Sequence, residues 1–169
     1  GALVTIVSAG AAPTTPDRLL NADNEPHNWL RNNGNYSAWR YSKLAQINKS
    51  NVANLRVVFM ASIGGNGMSA IPNSTGNEQA TPLVEDGFLY ATDSHNKIMK
   101  FDVSSGTRAM PLWRFDPKSQ RVQNTLGVAL YQDLVINETR DARIIGIGKE
   151  SGEAVFDLSG KESEGTGSN

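Results

Sequence analysis

The 169-residue sequence contains no cysteine, which excludes disulfide bonds, zinc–thiolate sites and cysteine nucleophiles from it. It also has no excess of either charge, because 16 basic and 17 acidic residues give a formal net charge of −1, and no run of basic residues occurs. Nucleic acids and anionic membranes need a concentrated positive surface, so neither is an expected partner. No apolar stretch is long enough to span a bilayer, and we expect no transmembrane segment.

The N-terminal residues are mostly apolar up to Val7 and then become small, from Ser8 to Ala12. Small residues after an apolar stretch are typical of a signal-peptidase site, so we interpret residues 1–13 as the remnant of a secretory signal rather than as a first strand. No charged region precedes the apolar stretch. If the source is bacterial, this interpretation predicts a periplasmic protein.

A β-meander is predicted between Ala80 and Trp113. Alternating β-prone and turn residues indicate four short strands, at Leu83-Val84, Phe88–Tyr90, Lys97–Asp102 and a run that ends at Leu112-Trp113. Asp86-Gly87 joins the first two strands, and this dipeptide is a strong hairpin signal because its residues tolerate positive φ angles. Gly106 is predicted to form the turn before the fourth strand.

The same pattern recurs at a constant offset of 46 positions, as between Gly106 and Gly152. At this offset the β-prone residues coincide, with Val84 falling on Leu130, Phe88 on Leu134, Ile98 on Ile144, Met99 on Ile145 and Phe101 on Ile147. The closing aromatic is Trp113 in the first copy and Phe156 in the second, so the first copy carries a three-residue insertion. A four-stranded unit that repeats every 40 to 50 residues or so is typical of a β-propeller blade, with the aromatic packed between blades.

We therefore predict an all-β fold of the β-propeller type, with about two blades in residues 61–169 and an N-terminal strap with a first strand in residues 14–60. Two blades cannot close a ring and would leave apolar faces and strand edges exposed, so we expect the chain to be the N-terminal part of a longer protein. The local patterns predict short helices at Arg18–Ala22 and Asn51–Leu55, a strand at Arg56–Met60, and a loop at Gly64–Gly76.

A resemblance to a known family covers residues 18 to 158 or so. The motifs that carry it are Leu19–Ala22, Pro26–Leu30, Arg40–Leu44, Gln46–Asn48, Asn51-Val52, Ala80–Val84, Ser105-Gly106, Trp113 and Gly127–Leu130. In order and spacing they are similar to the strap and first two tryptophan-docking blades of the pyrroloquinoline quinone (PQQ)-dependent alcohol dehydrogenases. The resemblance implies an eight-bladed propeller in the periplasm that holds PQQ and calcium. It also implies an alcohol substrate and an electron acceptor such as a cytochrome c or a quinone.

The resemblance implies few functional residues in this part of the family's fold. The family's calcium ligands and catalytic aspartate come from later blades, so we expect no catalytic and no metal-binding residue here. A glutamate that contacts the quinone is replaced by Gln79, whose amide can still donate and accept hydrogen bonds. Gln120-Arg121 stands in place of an adjacent cysteine pair, and Leu126 in place of an arginine, which leaves Arg121 as the candidate partner of the cofactor carboxylates. The alternative for Gln79 and Arg121 is that both are solvated loop residues.

Two functions remain open at this point. The first is a PQQ-dependent dehydrogenase that oxidises an alcohol or a similar small molecule by hydride transfer to the quinone with calcium assistance. The alternative is a non-catalytic propeller, a scaffold or binding protein that has lost the cofactor site, as Leu126 and the missing cysteine pair suggest. His27 and His95 are expected to be loop residues without metal, because neither has a second ligand at suitable spacing.

Overall fold

The computed structural model describes residues 12–63, 80–119 and 127–159. Nearly all of the interpreted signal remnant, the Gly64–Gly76 loop, and the candidate cofactor contacts Gln79 and Arg121 lie outside these residues. The elements are one short helix, α1 (Pro16–Leu20), two 3-10 turns at Ala22–Asn24 and Val52–Asn54, and the strands β1 (Leu83–Glu85), β2 (Phe88–Thr92), β3 (Ile98–Asp102), β4 (Met110–Phe115), β5 (Ala129–Tyr131), β6 (Leu134–Glu138), β7 (Arg143–Gly148) and β8 (Ala154–Ser159).

The strands form two four-stranded antiparallel sheets in which each strand pairs with the next one along the chain. We call β1–β4 blade 1 and β5–β8 blade 2. The predicted all-β fold with two blade-like meanders is therefore confirmed. The predicted hairpin is also present, since Asp86 and Gly87 connect β1 to β2 with φ angles of 50° and 85°.

The predicted repeat is reproduced in the strand register. Lys100 pairs with Trp113 in blade 1, and Gly146, 46 positions after Lys100, pairs with Phe156 in blade 2. Both pairings are followed by a β-bulge, after Lys100 and after Gly146. The three-residue insertion of the first copy consequently lies in the turn between β3 and β4 and leaves the pairing unchanged.

A shared core and one aromatic contact hold the two blades together. Buried apolar side chains from both sheets and from the N-terminal residues form one cluster, made up of Leu30, Leu83, Tyr90, Ile98, Leu130, Val135, Ile145 and Ile147. Trp113 of blade 1 lies against Gly152 in the β7–β8 turn, and its indole Nε1 donates a hydrogen bond of 2.8 Å to the carbonyl oxygen of Lys149. The closing aromatic thus packs between blades, as the repeat predicts.

Residues 12–30, which we call the N-terminal segment, lie across both blades. Thr14 forms an isolated antiparallel bridge with Gln132 of blade 2, and Trp29 forms another with Val84 of blade 1. Between them, the side chain of Thr15 caps α1 by accepting a hydrogen bond from the backbone N–H of Arg18. The segment is therefore fixed at one point on each sheet.

Two predictions for the strap differ from the structure. The helix expected at Asn51–Leu55 is a single 3-10 turn, Val52–Asn54. The strand expected at Arg56–Met60 is not formed, and Val57 and Met60 are 77% and 91% exposed. No strand of the described residues pairs with this run, and β propensity without a partner does not produce a strand.

Candidate functional site

The first residues of the two blades meet at one end of the sheets, which we call the 80/127 edge after Ala80 and Gly127. A Cβ atom placed on Gly127 would lie 3.5 Å from the Cβ of Ala80 and 3.4 Å from the carbonyl oxygen of Thr81. Gln79 precedes Ala80 directly in the sequence, and the 120–126 stretch that contains Arg121 precedes Gly127. Although Gln79 and Arg121 are not among the described residues, the residues that follow each stretch are in contact.

Asp93 organises the turn between β2 and β3 at the same end of blade 1. Its carboxylate is 1% exposed and accepts hydrogen bonds from the backbone N–H groups of His95 and Lys97, at 2.8 and 2.9 Å. The Arg114 guanidinium on β4 lies 2.9 Å from its second oxygen. Asp93 is therefore held by its own turn and by the neighbouring strand, so its charge fixes the local backbone.

A pair of buried amides connects the blades near this edge. Asn96 donates to the Oδ1 of Asn137 at 3.0 Å, and Asn137 donates back at 3.1 Å. Both side chains are buried, and Asn96 adopts a φ angle of 62°, in the left-handed region that asparagine tolerates. The two residues are 41 positions apart. This pair was not predictable from the sequence, because nothing in either local pattern points to the other residue.

These contacts bear on whether the described residues fit a bound quinone. Asp93, Asn96 and Asn137 are occupied by the turn and by the blade contact, and they face protein groups. The described part of the 80/127 edge therefore sets where the two chain stretches end, and Gln79 and Arg121 remain the candidates for hydrogen bonds to a cofactor. Their assignment as cofactor contacts stays a prediction.

The opposite end of the blades carries a buried charge network. Glu85 at the end of β1 is fully buried, and its carboxylate binds the Lys149 ammonium at 2.6 Å and the Arg18 guanidinium at 3.0 Å. The hydroxyl of Thr14 donates to Glu85 and accepts from Lys149. Burial lowers the pKa of Lys149, and the hydrogen bond to Glu85 opposes this shift.

Three potential ligand groups meet beside this network. One atom from each of Glu25, His27 and Asp86 lies within 4.8 Å of the other two. The sequence spacing of His27 did not indicate this group, because Asp86 is distant in sequence and the fold brings it close. Arg18 lies 2.6 Å from Glu25 and 3.3 Å from Asp86, and its hydrogen bond lowers the pKa of Glu25. The guanidinium already compensates the charge that would attract a cation.

In residues 12–63, 80–119 and 127–159, no helix is long and apolar enough to cross a membrane. The hydroxyl of Ser94 lies 3.3 Å from Nδ1 of the adjacent His95, within the same β2–β3 turn that Asp93 organises.

Comparison with known proteins relates these features to a family. The family model described as the β-propeller domain of PQQ-dependent glucose/ethanol/alcohol dehydrogenases matches residues 29–161. The chain is 33% identical over 150 residues to the dehydrogenase subunit of the quinone-type alcohol dehydrogenase of Acetobacter aceti, covering 84% of the chain and 19% of that protein. It is 31% identical over 158 residues to the quinoprotein alcohol dehydrogenase PedH of Pseudomonas putida, covering 89% of the chain and 25% of that protein.

Solved structures agree on the fold. The quinohemoprotein alcohol dehydrogenase ADHIIG from Pseudomonas putida HK5 superposes with a TM-score of 0.75 at 24% identity, over 91% of this chain and 22% of that one. A europium-containing methanol dehydrogenase superposes with a TM-score of 0.72 at 24% identity, over 85% of this chain and 25% of that one. The chain thus spans about a fifth to a quarter of the length of these relatives. Because the family model covers both blades and the end of the N-terminal segment, the chain belongs to the β-propeller family of PQQ-dependent glucose/ethanol/alcohol dehydrogenases.

Proposed function

We propose that the chain is the N-terminal part of a periplasmic PQQ-dependent dehydrogenase that oxidises an alcohol. The observation that carries this proposal is the family match over residues 29–161, which spans both blades. The relatives named above, described as alcohol and methanol dehydrogenases, support an alcohol as the substrate class. The periplasmic location rests on the interpretation of residues 1–13 as a signal remnant.

The role that we assign to this chain is to bind and orient the cofactor. When bound, PQQ supplies a quinone that accepts the hydride from the alcohol carbon, and calcium is the expected metal beside it. The amide of Gln79 would hydrogen-bond a carbonyl or carboxylate oxygen, and Arg121 would pair with a carboxylate in a charge-assisted hydrogen bond. Leu126 offers neither interaction, so Arg121 carries the charge complementarity on this side of the site. A cytochrome c or a quinone would take up the electrons.

The contact between Ala80 and Gly127 supports this role, because Ala80 directly follows Gln79 in the sequence and Gly127 follows the stretch that contains Arg121. The amide pair of Asn96 and Asn137 supports it further, since it prevents the blades from sliding past each other near the 80/127 edge. A cofactor that is held from two blades needs their relative position to be fixed before it binds.

The test is a titration of the full-length apo protein with PQQ and calcium, followed by absorbance and then by dye reduction with a panel of primary alcohols. We expect saturable binding, alcohol-dependent dye reduction, and an affinity at least tenfold lower in Arg121→Ala, because a charge-assisted hydrogen bond is worth about 1.5–3 kcal/mol. Lys118→Ala is the matched control, since Lys118 is an exposed cation of the same region with 82% of its side chain accessible. A protein that melts cooperatively but binds no PQQ would refute the proposal and favour a non-catalytic propeller.

A further inference from the structure

The buried charge network described above joins three parts of the chain that are distant in sequence. Thr14 belongs to the N-terminal segment, Glu85 to blade 1 and Lys149 to blade 2. Lys149 donates to both Thr14 and Glu85, and Thr14 donates to Glu85, so the three side chains close a ring of hydrogen bonds. None of them is more than 2% exposed. Each member of the ring comes from a different part of the structure.

Burying the Lys149 ammonium is costly unless both of its partners are present. A charged group removed from water needs an opposite charge and hydrogen bonds for its remaining protons, and an ammonium has three N–H donors. Blade 1 supplies the carboxylate of Glu85, and the N-terminal segment supplies the hydroxyl of Thr14. Both partners of the Lys149 ammonium are therefore present only when the two blades and the segment are assembled together.

The backbone contacts of the N-terminal segment follow the same division. The segment exchanges two hydrogen bonds with Gln132 of blade 2 through Thr14, and two with Val84 of blade 1 through Trp29. Between these two points, Arg18 binds Glu85 on blade 1 and Glu25 within the segment. A shift of blade 2 relative to blade 1 would separate Thr14 from either Gln132 or Glu85.

We propose that this ring is a latch, which we call the Glu85 latch, and that it makes docking of the whole N-terminal segment conditional on correct packing of blade 2 against blade 1. In the latched state the segment lies across both sheets. When the blade contact is disturbed, the segment is released as one unit, including its distant contact at Trp29. The latch does not depend on the proposed redox activity.

The experiment is hydrogen–deuterium exchange on the full-length protein, comparing the wild type with Lys149→Met. The critical readout is the backbone amide of Trp29, which donates to Val84 on blade 1 and is not a partner of Lys149. We expect exchange at Trp29 to accelerate at least tenfold in the variant, together with exchange at Thr14 and Gln132. Lys118→Met is the matched control, because it removes an exposed lysine at the other end of the blades and should leave all three amides unchanged.

A purely local role for Lys149 gives a different pattern. Exchange would then rise at Thr14 and Gln132 alone, with Trp29 unchanged, and this result would overturn the proposal. If Lys149→Met fails to fold, Thr14→Val provides the same test, because it preserves the shape of the side chain while removing both hydrogen bonds of the hydroxyl. Protection at Trp29 that equals the wild type in a folded Thr14→Val variant would likewise overturn the latch.

Discussion

Gly152→Ala should destabilise the protein more than the same substitution at Gly106, although both glycines occupy equivalent turns. Their φ angles are 69° and 65°, so an alanine is strained to a similar extent at each, by about 1 kcal/mol. A Cβ on Gly152 would also lie 2.6 Å from Cγ of Trp113, whereas one on Gly106 would meet nothing within 4 Å. Displacing a packed indole adds about 1–3 kcal/mol. We therefore expect losses of about 1 kcal/mol for Gly106→Ala and about 2–4 kcal/mol for Gly152→Ala.

The measurement is the urea midpoint of the full-length protein and its variants at constant m value. The contribution of the indole is isolated by repeating Gly152→Ala in a Trp113→Ala background, where the clash is absent and only the strain of about 1 kcal/mol should remain. Equal losses at Gly106 and Gly152 in the wild-type background would refute the inference that Trp113 packs on the turn of blade 2. An undiminished loss in the Trp113→Ala background would refute it as well.

The buried hydroxyl of Tyr90 has no hydrogen-bond partner among the described residues and burial raises its pKa, so Tyr90→Phe should be neutral or stabilising by up to about 2 kcal/mol. Because burial raises the folded-state pKa above the usual 10, the unfolded state loses this proton first and the stability falls as the pH rises above 10, so alkaline unfolding should be less steep in Tyr90→Phe. Asn137→Ala leaves the amide of Asn96 unpaired in the interior and should lower the free energy of unfolding by about 1–3 kcal/mol, measured by thermal unfolding. An unchanged stability would contradict the reciprocal pairing. Glu85→Gln should lower the free energy of unfolding by about 3–5 kcal/mol and Lys149→Met by about 1–3 kcal/mol, because Glu85 has two cationic partners and Lys149 has one carboxylate. The reverse order in urea unfolding would contradict this. The 169 residues alone should associate through their exposed apolar strands, so a monodisperse monomer in analytical ultracentrifugation would contradict the expected open blade edges.

The strands were predictable because their signals are local. Asp86-Gly87 indicates a hairpin because both residues tolerate positive φ angles. The offset of 46 positions between Gly106 and Gly152 aligns the first meander with the second. The run from Arg56 to Met60 carries an equally strong local signal but remains without a partner in the described residues. Local propensity therefore predicts a strand well only where a hairpin connection brings the neighbouring strand close.

The charged and amide contacts were not predictable for the same reason. Lys149 lies in a turn between two strands, where a lysine is normally solvated, and its partner Glu85 is 64 positions away. Glu85 itself ends a short strand beside Asp86-Gly87, where a carboxylate is also expected to face water. Only the packing of blade 2 against blade 1 and the N-terminal segment makes both residues buried. The family resemblance, carried by residue order and spacing, identifies the family without indicating such pairs.

The two register-equivalent positions Lys100 and Gly146 show how far the repeat extends. Lys100 is buried opposite Trp113, with its ammonium 4.2 Å from the centre of the Phe88 ring of the same blade. The ammonium also reaches blade 2, where it lies 2.9 Å from the carbonyl oxygen of Lys149. At Gly146 a Cβ atom would overlap the ring of Phe156, so blade 2 has no room for any side chain there. The backbone register and the bulge are the same in both blades, but the residue that faces the closing aromatic is a long cation in one and a glycine in the other. The same backbone pairing therefore accommodates a large side chain in one blade and none in the other. The contact between the two blades is specified by residues that differ between the two copies of the repeat.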